Sequence, residues 1–305
     1  MNFKGKSIIS FRDLKKDEIE YILKKTYEVK NNKYPDALRG KTLASLFFEP
    51  STRTRLSFDS AISLLGGKYF GIADPSSSSI QKGETLKDSI KTVCGYCDAI
   101  VIRHPYEGAA RAASEVSSKP VINAGDGANQ HPTQTLLDLY TIKEQFGKID
   151  GLNIGLMGDL KYGRTAHSLS MALSYYNVKI TLISPKLLRI PIDFKNYLEG
   201  SGIKFVETSS IEEVGQDLDV LYVTRIQKER FGDLQEYEKV AGSYKITEET
   251  MGVLNPKVKI MHPLPRLDEI DPSIDKLENA IYFEQAHNGI PVRQAILGLV
   301  TGAIQ

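Results

Sequence analysis

Cysteine is scarce in this 305-residue sequence, which holds only Cys94 and Cys97. Two cysteines cannot form a disulfide framework. Their C-x-x-C spacing could belong to a zinc site, but a second cysteine pair is absent and the histidines lie far away in the sequence. The pair also follows a helix-like segment and precedes a strand-like one, which is the reverse of the order in thioredoxin-like redox sites. We therefore expect buried, unreactive thiols.

An excess of charge of either sign is also missing, because 39 Lys and Arg side chains are matched by 38 Asp and Glu side chains. The net charge of +1 gives no global field that would recruit nucleic acid or an acidic membrane, so any anion site must be local. No apolar stretch approaches the length that spans a bilayer, and the N-terminal residues contain no apolar signal core. We expect a soluble, cytoplasmic protein.

Nucleotide-binding motifs are absent. The glycines Gly155, Gly158 and Gly163 do not have G-x-G-x-x-G spacing, and the strand-like run after them ends in Ser184-Pro185 instead of an acidic residue that would bind a ribose. A Walker A sequence is missing as well. These absences argue against nucleotide chemistry, and we expect neither a cofactor nor a metal.

The pattern that is present is an alternation of apolar, β-branched runs with amphipathic segments, which predicts an α/β fold with parallel sheets flanked by helices. The strand-like runs are 43–48, 99–102, 121–123, 153–157, 178–183, 220–223 and 258–261. Clear helical patterns occupy 51–65, 133–146 and 166–176.

The length allows one large core or two domains of about 150 residues each, and we favour two. The helical pattern 133–146 would carry the chain into the second domain, and the last pattern, 291–304, would pack back on the first. We therefore predict one domain from residues 1–132 plus 289–305 and another from residues 133–288.

The run Phe48-Glu49-Pro50-Ser51-Thr52-Arg53-Thr54-Arg55 stands where a strand gives way to a helix. Pro50 would end the strand and Ser51 would cap the helix, so that the first-turn amides point outward. Together with hydroxyls and the Arg53 guanidinium, these amides could bind a phosphate. A capped helix with a solvated basic first turn is the alternative, but two arginines at the positive end of a helix dipole are unfavourable unless acidic groups or an anion compensate.

Other polar residues follow the predicted strands, at the sheet edge where ligands of parallel α/β proteins bind. They are Arg103, His104, Asp126, His131, Gln134, Arg164, Arg225, Gln227, and the run His262-Pro263-Leu264-Pro265-Arg266. Any one of them could be structural, and a lone histidine before a proline usually is. Their shared placement predicts instead that Arg53, Arg103, Arg164 and Arg225 face one crevice that takes small, multiply anionic substrates.

Acyl transfer from a phosphorylated donor would suit such a set. The phosphate would lie at 51–54, nearby donors would polarise the carbonyl, and Arg164 and Arg225 would bind an anionic acceptor. A covalent nucleophile is unnecessary because a mixed anhydride is already activated, so orientation and oxyanion stabilisation could suffice.

These residues resemble the aspartate/ornithine carbamoyltransferase family, and within it the aspartate carbamoyltransferase catalytic chains, along almost the entire sequence. The matching segments are 48–58, Gln81 to Thr85, Arg103-His104-Pro105, 123–127, His131-Pro132-Thr133-Gln134, 158–164, Thr224-Arg225-Ile226-Gln227, 262–266 and Arg293. None of these segments departs from the family's pattern.

The resemblance implies a role for each site residue. The phosphate of carbamoyl phosphate would be held by Ser51, Thr52, Arg53, Thr54 and Arg103. His131, with Thr54 and Arg103, would polarise the carbamoyl oxygen. Its amide would be held by Gln134 and by the backbone carbonyls around Pro263, Leu264 and Pro265. The carboxylates of L-aspartate would meet Arg164, Arg225 and Gln227. Ser78 and Lys82 would reach into the site of a neighbouring chain in a homotrimer.

Two alternatives differ in the acceptor or in the activity itself. An ornithine carbamoyltransferase would have a cysteine after the histidine at 262 and a pattern for a cationic acceptor, and neither is present. A catalytically silent scaffold subunit would have lost some of the polar residues, which are all present. Whether regulatory chains bind such a trimer is left open by the residues.

Overall fold

The computed structural model describes residues 1–72, 83–228 and 231–305, and the chain divides into two compact units. The first unit is Met1–Tyr140 together with Asn288–Gln305, and the second is Thr141–His287. The chain therefore enters the second unit from the first and returns to it. The predicted boundary at Thr133 lies near the start of the helix Pro132–Phe146, and the structure divides within that same helix, between Tyr140 and Thr141.

The first unit is built on a parallel sheet whose strand order is β2-β1-β3-β4. Its strands are β1 Thr42–Phe47, β2 Lys68–Ile72, β3 Ala99–His104 and β4 Val121–Asp126. The helices that accompany them are α1 Lys16–Lys30, α2 Thr52–Leu64, α3 Leu86–Val93, α4 Ala109–Val116 and the first part of α5 Pro132–Phe146. The predicted runs at 43–48, 99–102 and 121–123 are confirmed as β1, β3 and β4.

Strand β2 was missed by the sequence analysis because its residues are almost all exposed and form no apolar run. It is an edge strand, and Gly71 allows it to approach β1 closely. A Cβ atom at Gly71 would lie 1.9 Å from the carbonyl oxygen of Ser45, its partner in the register. The glycine is therefore required by the backbone contact.

The second unit contains a parallel sheet with the strand order β7-β6-β5-β8-β9. Its strands are β5 Asn153–Met157, β6 Lys179–Ile183, β7 Lys204–Thr208, β8 Val220–Val223 and β9 Lys259–Met261. Its helices are α6 Arg164–Leu173, α7 Ile192–Gly200, α8 Leu234–Glu238, α9 Glu248–Gly252 and α10 Tyr282–His287. Four strands match predicted runs. The fifth, β7, was missed because it is an edge strand with exposed or half-buried residues.

The last helix, α11 Gly289–Thr301, follows the second unit in sequence but packs against α1 and α2 of the first unit. Nearly every residue of α11 is buried, including Val292, Ile296 and Leu299. A helix that is apolar on all sides must be enclosed by other elements. The predicted return of the chain to the first domain is confirmed.

Each unit has its own apolar core. In the first unit, Leu46, Ile100 and Ile102 pack with Cys94 and Cys97. Both thiols are buried, as predicted, and they form no disulfide. Burial raises the pKa of Cys97 to about 11. In the second unit, the core is formed around Met157, Leu221, Val223, Ile260 and Tyr282.

Two features are absent from the part of the chain that the structure describes. No helix there is long and apolar enough to cross a bilayer. No group of three or more His, Cys, Asp or Glu side chains there could hold a metal ion.

Candidate active site

The run 48–55 spans the loop after β1 and the first turn of α2 in the first unit. Ser51 occupies the N-cap position with extended backbone angles (φ −160°, ψ 91°), but its side chain makes no capping hydrogen bond. The predicted N-cap position is confirmed, and the Ser51 hydroxyl does not accept from the first-turn amides. By contrast, Thr85 caps α3 at ψ 150° and accepts a hydrogen bond from the amide of Asp88.

The first turn of α2 contains no acidic residue that would balance Arg53 and Arg55. Thr54 is buried, whereas Thr52 and Arg53 are exposed. A helix terminus with basic side chains and uncapped amides has a strong local attraction for anions. This environment favours the anion-binding interpretation over a solvated basic turn.

Arg103 lies near the end of β3, next to the run 48–55. It pairs in register with Phe47, and its carbonyl oxygen accepts a hydrogen bond of 2.8 Å from the amide of Phe48. Its guanidinium is held on two sides, since Nη1 donates to the carbonyl oxygen of Ala124 at 3.2 Å and Nε lies 3.0 Å from Glu49 Oε2. Because the side chain is buried, its orientation is fixed in advance of any ligand.

The loop after β4 is organised by the buried carboxylate of Asp126. This carboxylate accepts hydrogen bonds from Asn123 Nδ2 at 2.9 Å and from the amides of Gly108 and Gln130 at 3.0 and 3.1 Å. His131, the residue after Gln130, is only 4% exposed. The loop thus places a buried imidazole at the carboxyl end of the sheet, at the start of α5.

Gln134 belongs to a buried polar group that the sequence analysis recognised only in part. Gln134 Nε2 donates to Asp138 Oδ1 at 3.0 Å, and the charge of Asp138 acts on the buried Arg293. Arg293 Nη1 donates to Ser57 Oγ at 2.7 Å, and its guanidinium carbon lies 5.0 Å from the centre of the Phe58 ring. Burial lowers the pKa of Arg293 to about 10, and the Asp138 carboxylate opposes that shift.

In the second unit, β5 and β8 are neighbours, and the residues after them are brought together. Gly158 has φ +112°, and a Cβ atom there would lie 2.1 Å from the carbonyl oxygen of Thr224. Arg225 follows Thr224 directly, and Arg164 is the first residue of α6. Arg164, Arg225 and Gln227 are all half-buried, so their side chains remain partly accessible to a ligand.

A second buried carboxylate shapes the loop before Arg164. Asp159 Oδ1 accepts hydrogen bonds from the amides of Lys161 and Tyr162 at 3.1 and 2.9 Å. Burial raises the pKa of Asp159, and these amides oppose the shift. The Asp159 side chain therefore fixes the turn that leads to Arg164.

The run after β9 contains His262, Pro263, Leu264 and Pro265. His262 is 1% exposed and contacts both Leu264 and the carboxylate of Glu269. Burial lowers the pKa of His262, so that the imidazole is neutral at physiological pH. Leu264 has a positive φ of +55°, and the Leu264–Pro265 peptide bond is cis.

The structure therefore brings Ser51, Thr52, Arg53, Thr54, Arg103, His131 and Gln134 to the carboxyl ends of β1, β3 and β4 in the first unit. It brings Arg164, Arg225, Gln227 and 263–265 to the carboxyl ends of β5, β8 and β9 in the second. Ser78 and Lys82 lie outside the described residues. Asp138 and Glu269 were missed, because no sequence pattern links either carboxylate to Gln134 or His262.

Two parallel α/β units that carry cationic and hydrogen-bonding residues at their strand ends define an enzyme that acts on small anionic substrates. Two family models match this chain. Residues 6–144 match the aspartate/ornithine carbamoyltransferase, carbamoyl-P binding domain, and residues 150–300 match the Asp/Orn binding domain of the same family. The chain belongs to the aspartate/ornithine carbamoyltransferase family.

Individual relatives are similar over nearly their whole length. The aspartate carbamoyltransferase catalytic subunit of Thermococcus kodakarensis is 58% identical, over 100% of this chain and 99% of its own. A crystal form of the M. jannaschii aspartate transcarbamoylase catalytic subunit is 55% identical, with a TM-score of 0.89 over 96% of this chain and 97% of its own. The Trypanosoma cruzi aspartate transcarbamoylase in complex with N-(phosphonacetyl)-L-aspartic acid is 37% identical, with a TM-score of 0.91 over 98% of this chain and 96% of its own.

Proposed function

We propose that this chain transfers the carbamoyl group of carbamoyl phosphate to the amine of L-aspartate, giving N-carbamoyl-L-aspartate and phosphate. The observation that carries the proposal is the division of the cationic residues between the two units. Arg53 and Arg103 lie in the unit that matches a carbamoyl-phosphate-binding domain, and Arg164 and Arg225 lie in the unit that matches an Asp/Orn-binding domain.

The phosphate is bound by the residues at the start of α2 and by Arg103. The hydroxyls of Ser51, Thr52 and Thr54 donate to its oxygens, and the two guanidiniums supply charge-assisted hydrogen bonds. The first-turn amides of α2 add the field of the helix terminus. Glu49 balances part of the Arg103 charge while the phosphate is absent.

The carbamoyl group is oriented by residues that contact its oxygen and by others that contact its nitrogen. His131, Thr54 and Arg103 polarise the carbonyl oxygen and stabilise the negative charge that develops there. The Gln134 NH₂ group donates to Asp138, so its amide oxygen is the atom that accepts from the carbamoyl NH₂ group. The second N–H of that group donates to a backbone carbonyl of the run Pro263, Leu264 and Pro265.

The charge of the site favours aspartate over ornithine as the acceptor of the carbamoyl group. Arg164, Arg225, Gln227 and Lys82 bind the two carboxylates of aspartate, whereas the arginines would repel the side-chain ammonium of ornithine. The deprotonated amine attacks the carbamoyl carbon and forms a C–N bond. The C–O bond to the phosphate then breaks, and the phosphate leaves with the bonding electron pair and takes up the proton that the amine nitrogen loses. Since the anhydride is already activated, orientation and oxyanion stabilisation supply the catalysis.

We propose a homotrimer in which Ser78 and Lys82 serve the site of a neighbouring chain. Supporting this, the edge strand β2 directly precedes residues 73–82 in sequence, and it exposes Tyr69 and Phe70 by 49% and 36%. Tyr96 is 64% exposed, and its ring packs against Phe70. Exposed aromatic side chains at a sheet edge favour an interface. The enzyme would act in cytoplasmic pyrimidine synthesis.

The test is an assay of the purified chain with carbamoyl phosphate and either L-aspartate or L-ornithine, without added metal or nucleotide. We expect formation of the ureido product with aspartate and no more than background with ornithine. Robust turnover with ornithine would identify the ornithine-type enzyme instead. A folded protein that is inactive with both acceptors would support the scaffold alternative.

A further inference from the structure

The loop after β9 contains a leucine in a backbone conformation that leucine rarely adopts. Leu264 has φ +55°, in the left-handed region that usually selects glycine. Such a conformation persists only where the surrounding structure imposes it. The three residues concerned, Pro263, Leu264 and Pro265, are those whose carbonyls receive the carbamoyl NH₂ group in the proposed function.

His262 supplies the contact that holds this conformation. The amide of Leu264 donates a hydrogen bond of 2.8 Å to His262 Nδ1, which must therefore carry no proton. The proton is on Nε2, which donates to Glu269 Oε1 at 2.6 Å. One imidazole thus links the strained residue to a buried carboxylate.

The imidazole and the carboxylate are themselves fixed by further contacts. The amide of His262 donates to Gln285 Oε1 at 2.8 Å, and Glu269 Oε2 accepts from the amide of Leu267 at 3.1 Å. His262 and Gln285 are almost fully buried, and Glu269 is 7% exposed. Water is therefore a poor substitute for any of these partners.

The tautomer determines whether the contact can exist. A doubly protonated imidazole would present an N–H group at Nδ1 to the N–H group of Leu264, and two donors cannot bond. The charged groups that act on His262 are Glu269, Arg266 and Arg225, of which only Glu269 favours protonation. Glu269 selects the proton on Nε2 because its carboxylate accepts there.

We infer that His262 and Glu269 are positioning residues that aim the backbone carbonyls of residues 263–265, acting through the amide of Leu264. The inference rests on the proposed function for the role of those carbonyls, whereas the contact itself is independent of it. Loss of the contact would release the loop while the phosphate-binding residues, which lie in the other unit, remain intact. The maximal rate should therefore fall more than the affinity for carbamoyl phosphate.

A matched pair of variants separates this role from simple packing. In His262→Asn, the amide oxygen can replace Nδ1 and accept from the N–H two residues on, as in an Asx-turn. In His262→Gln, the longer side chain reaches towards Glu269 and leaves the Leu264 amide without its acceptor. Both variants remove the imidazole and should lose similar thermal stability.

We expect His262→Asn to keep kcat within about threefold of the unmodified chain and His262→Gln to lose about 30-fold, the scale of one buried hydrogen bond to a constrained group. Binding of carbamoyl phosphate alone, measured by calorimetry, should weaken less than kcat falls in His262→Gln, by no more than about tenfold, because the phosphate contacts in the other unit are retained. Equal loss of kcat in both variants, or no loss in either, would overturn the inference.

A second measurement does not depend on activity. The chain has five histidines, so ¹⁵N-histidine labelling can resolve the His262 ring nitrogens. We expect a neutral ring protonated at Nε2, and the His262→Gln variant should speed hydrogen exchange at the Leu264 amide while His262→Asn should not. A ring protonated at Nδ1 would overturn the inference. An inactive unmodified chain that gives the expected spectra would instead count against the proposed function alone.

Discussion

Gln134 and Asp138 lie one turn apart on α5, and Gln134 Nε2 donates a hydrogen bond of 3.0 Å to the fully buried carboxylate of Asp138. The bond orients a side-chain amide whose two ends have opposite hydrogen-bonding character. Because the NH₂ end donates to Asp138, the amide oxygen is the end that can face a ligand and accept a hydrogen bond from it.

Replacing Asp138 should therefore weaken binding of the carbamoyl group. We expect Asp138→Ala to reduce the affinity for carbamoyl phosphate about tenfold, because the Gln134 amide is then free to rotate. Asp138→Asn is the matched control: it also removes the charge near Arg293, but it keeps an oxygen that accepts from Gln134. Calorimetry on folded protein should show the larger loss in the alanine variant, and equal losses would assign the effect to the charge.

The arginines of the two units should be separable by binding measurements. Arg53→Ala removes a phosphate contact in the first unit and should abolish detectable binding of carbamoyl phosphate alone. Arg225→Ala should leave that binding nearly normal, because Arg225 lies in the second unit, and should raise the KM for aspartate. Comparable loss of carbamoyl phosphate binding in both variants would contradict the assignment.

Gly158→Ala should destabilise the second unit. The added Cβ atom would lie 2.1 Å from the carbonyl oxygen of Thr224, and the residue has φ +112°. We expect a loss of about 2–4 kcal/mol in unfolding free energy and impaired use of aspartate, since Arg225 is adjacent to the displaced backbone.

The control for that substitution is Gly252→Ala in α9 of the same unit. Gly252 does not have a positive φ, and no atom lies within 4 Å of the added Cβ atom. The substitution should leave the unfolding free energy unchanged or raise it by up to about 1 kcal/mol. Chemical denaturation measures the unfolding free energy of both variants. Similar losses in both would show that the close approach of Gly158 to Thr224 does not limit stability.

Complementation tests the proposed trimer. If each chain donates Lys82 to a neighbour, a ring that mixes Lys82→Ala and His131→Ala chains contains one site with both residues intact. A two-to-one hybrid should then show about a third of the activity of the unmodified trimer. Purified hybrids of verified composition that remain as inactive as their parents would place Lys82 within its own site.

The sequence predicted the parts of the fold that follow from burial. Strands such as β1 and β5 are buried and apolar, and the polar residues after them stand at the edge where parallel sheets bind ligands. The edge strands β2 and β7 were missed, because exposed residues carry no apolar pattern.

Contacts between side chains were the part that sequence could not predict. Ser51 was correctly placed at the start of α2, but its missing capping bond depends on a backbone angle that the residue type does not determine. The partnership of His262 with Glu269 depends on how the loop after β9 folds back. Site roles assigned by resemblance, including those of Ser78 and Lys82, stay predictions.

The interrupted chain path of the first unit has a consequence for biosynthesis. On the ribosome, β1 to β4 emerge before α11, the helix that packs on α1 and α2. The second unit is continuous in sequence and needs no residue of α11 to complete its sheet. We expect the second unit to fold without α11, so that a released chain truncated before Gly289 would have a complete second unit and an incomplete first unit.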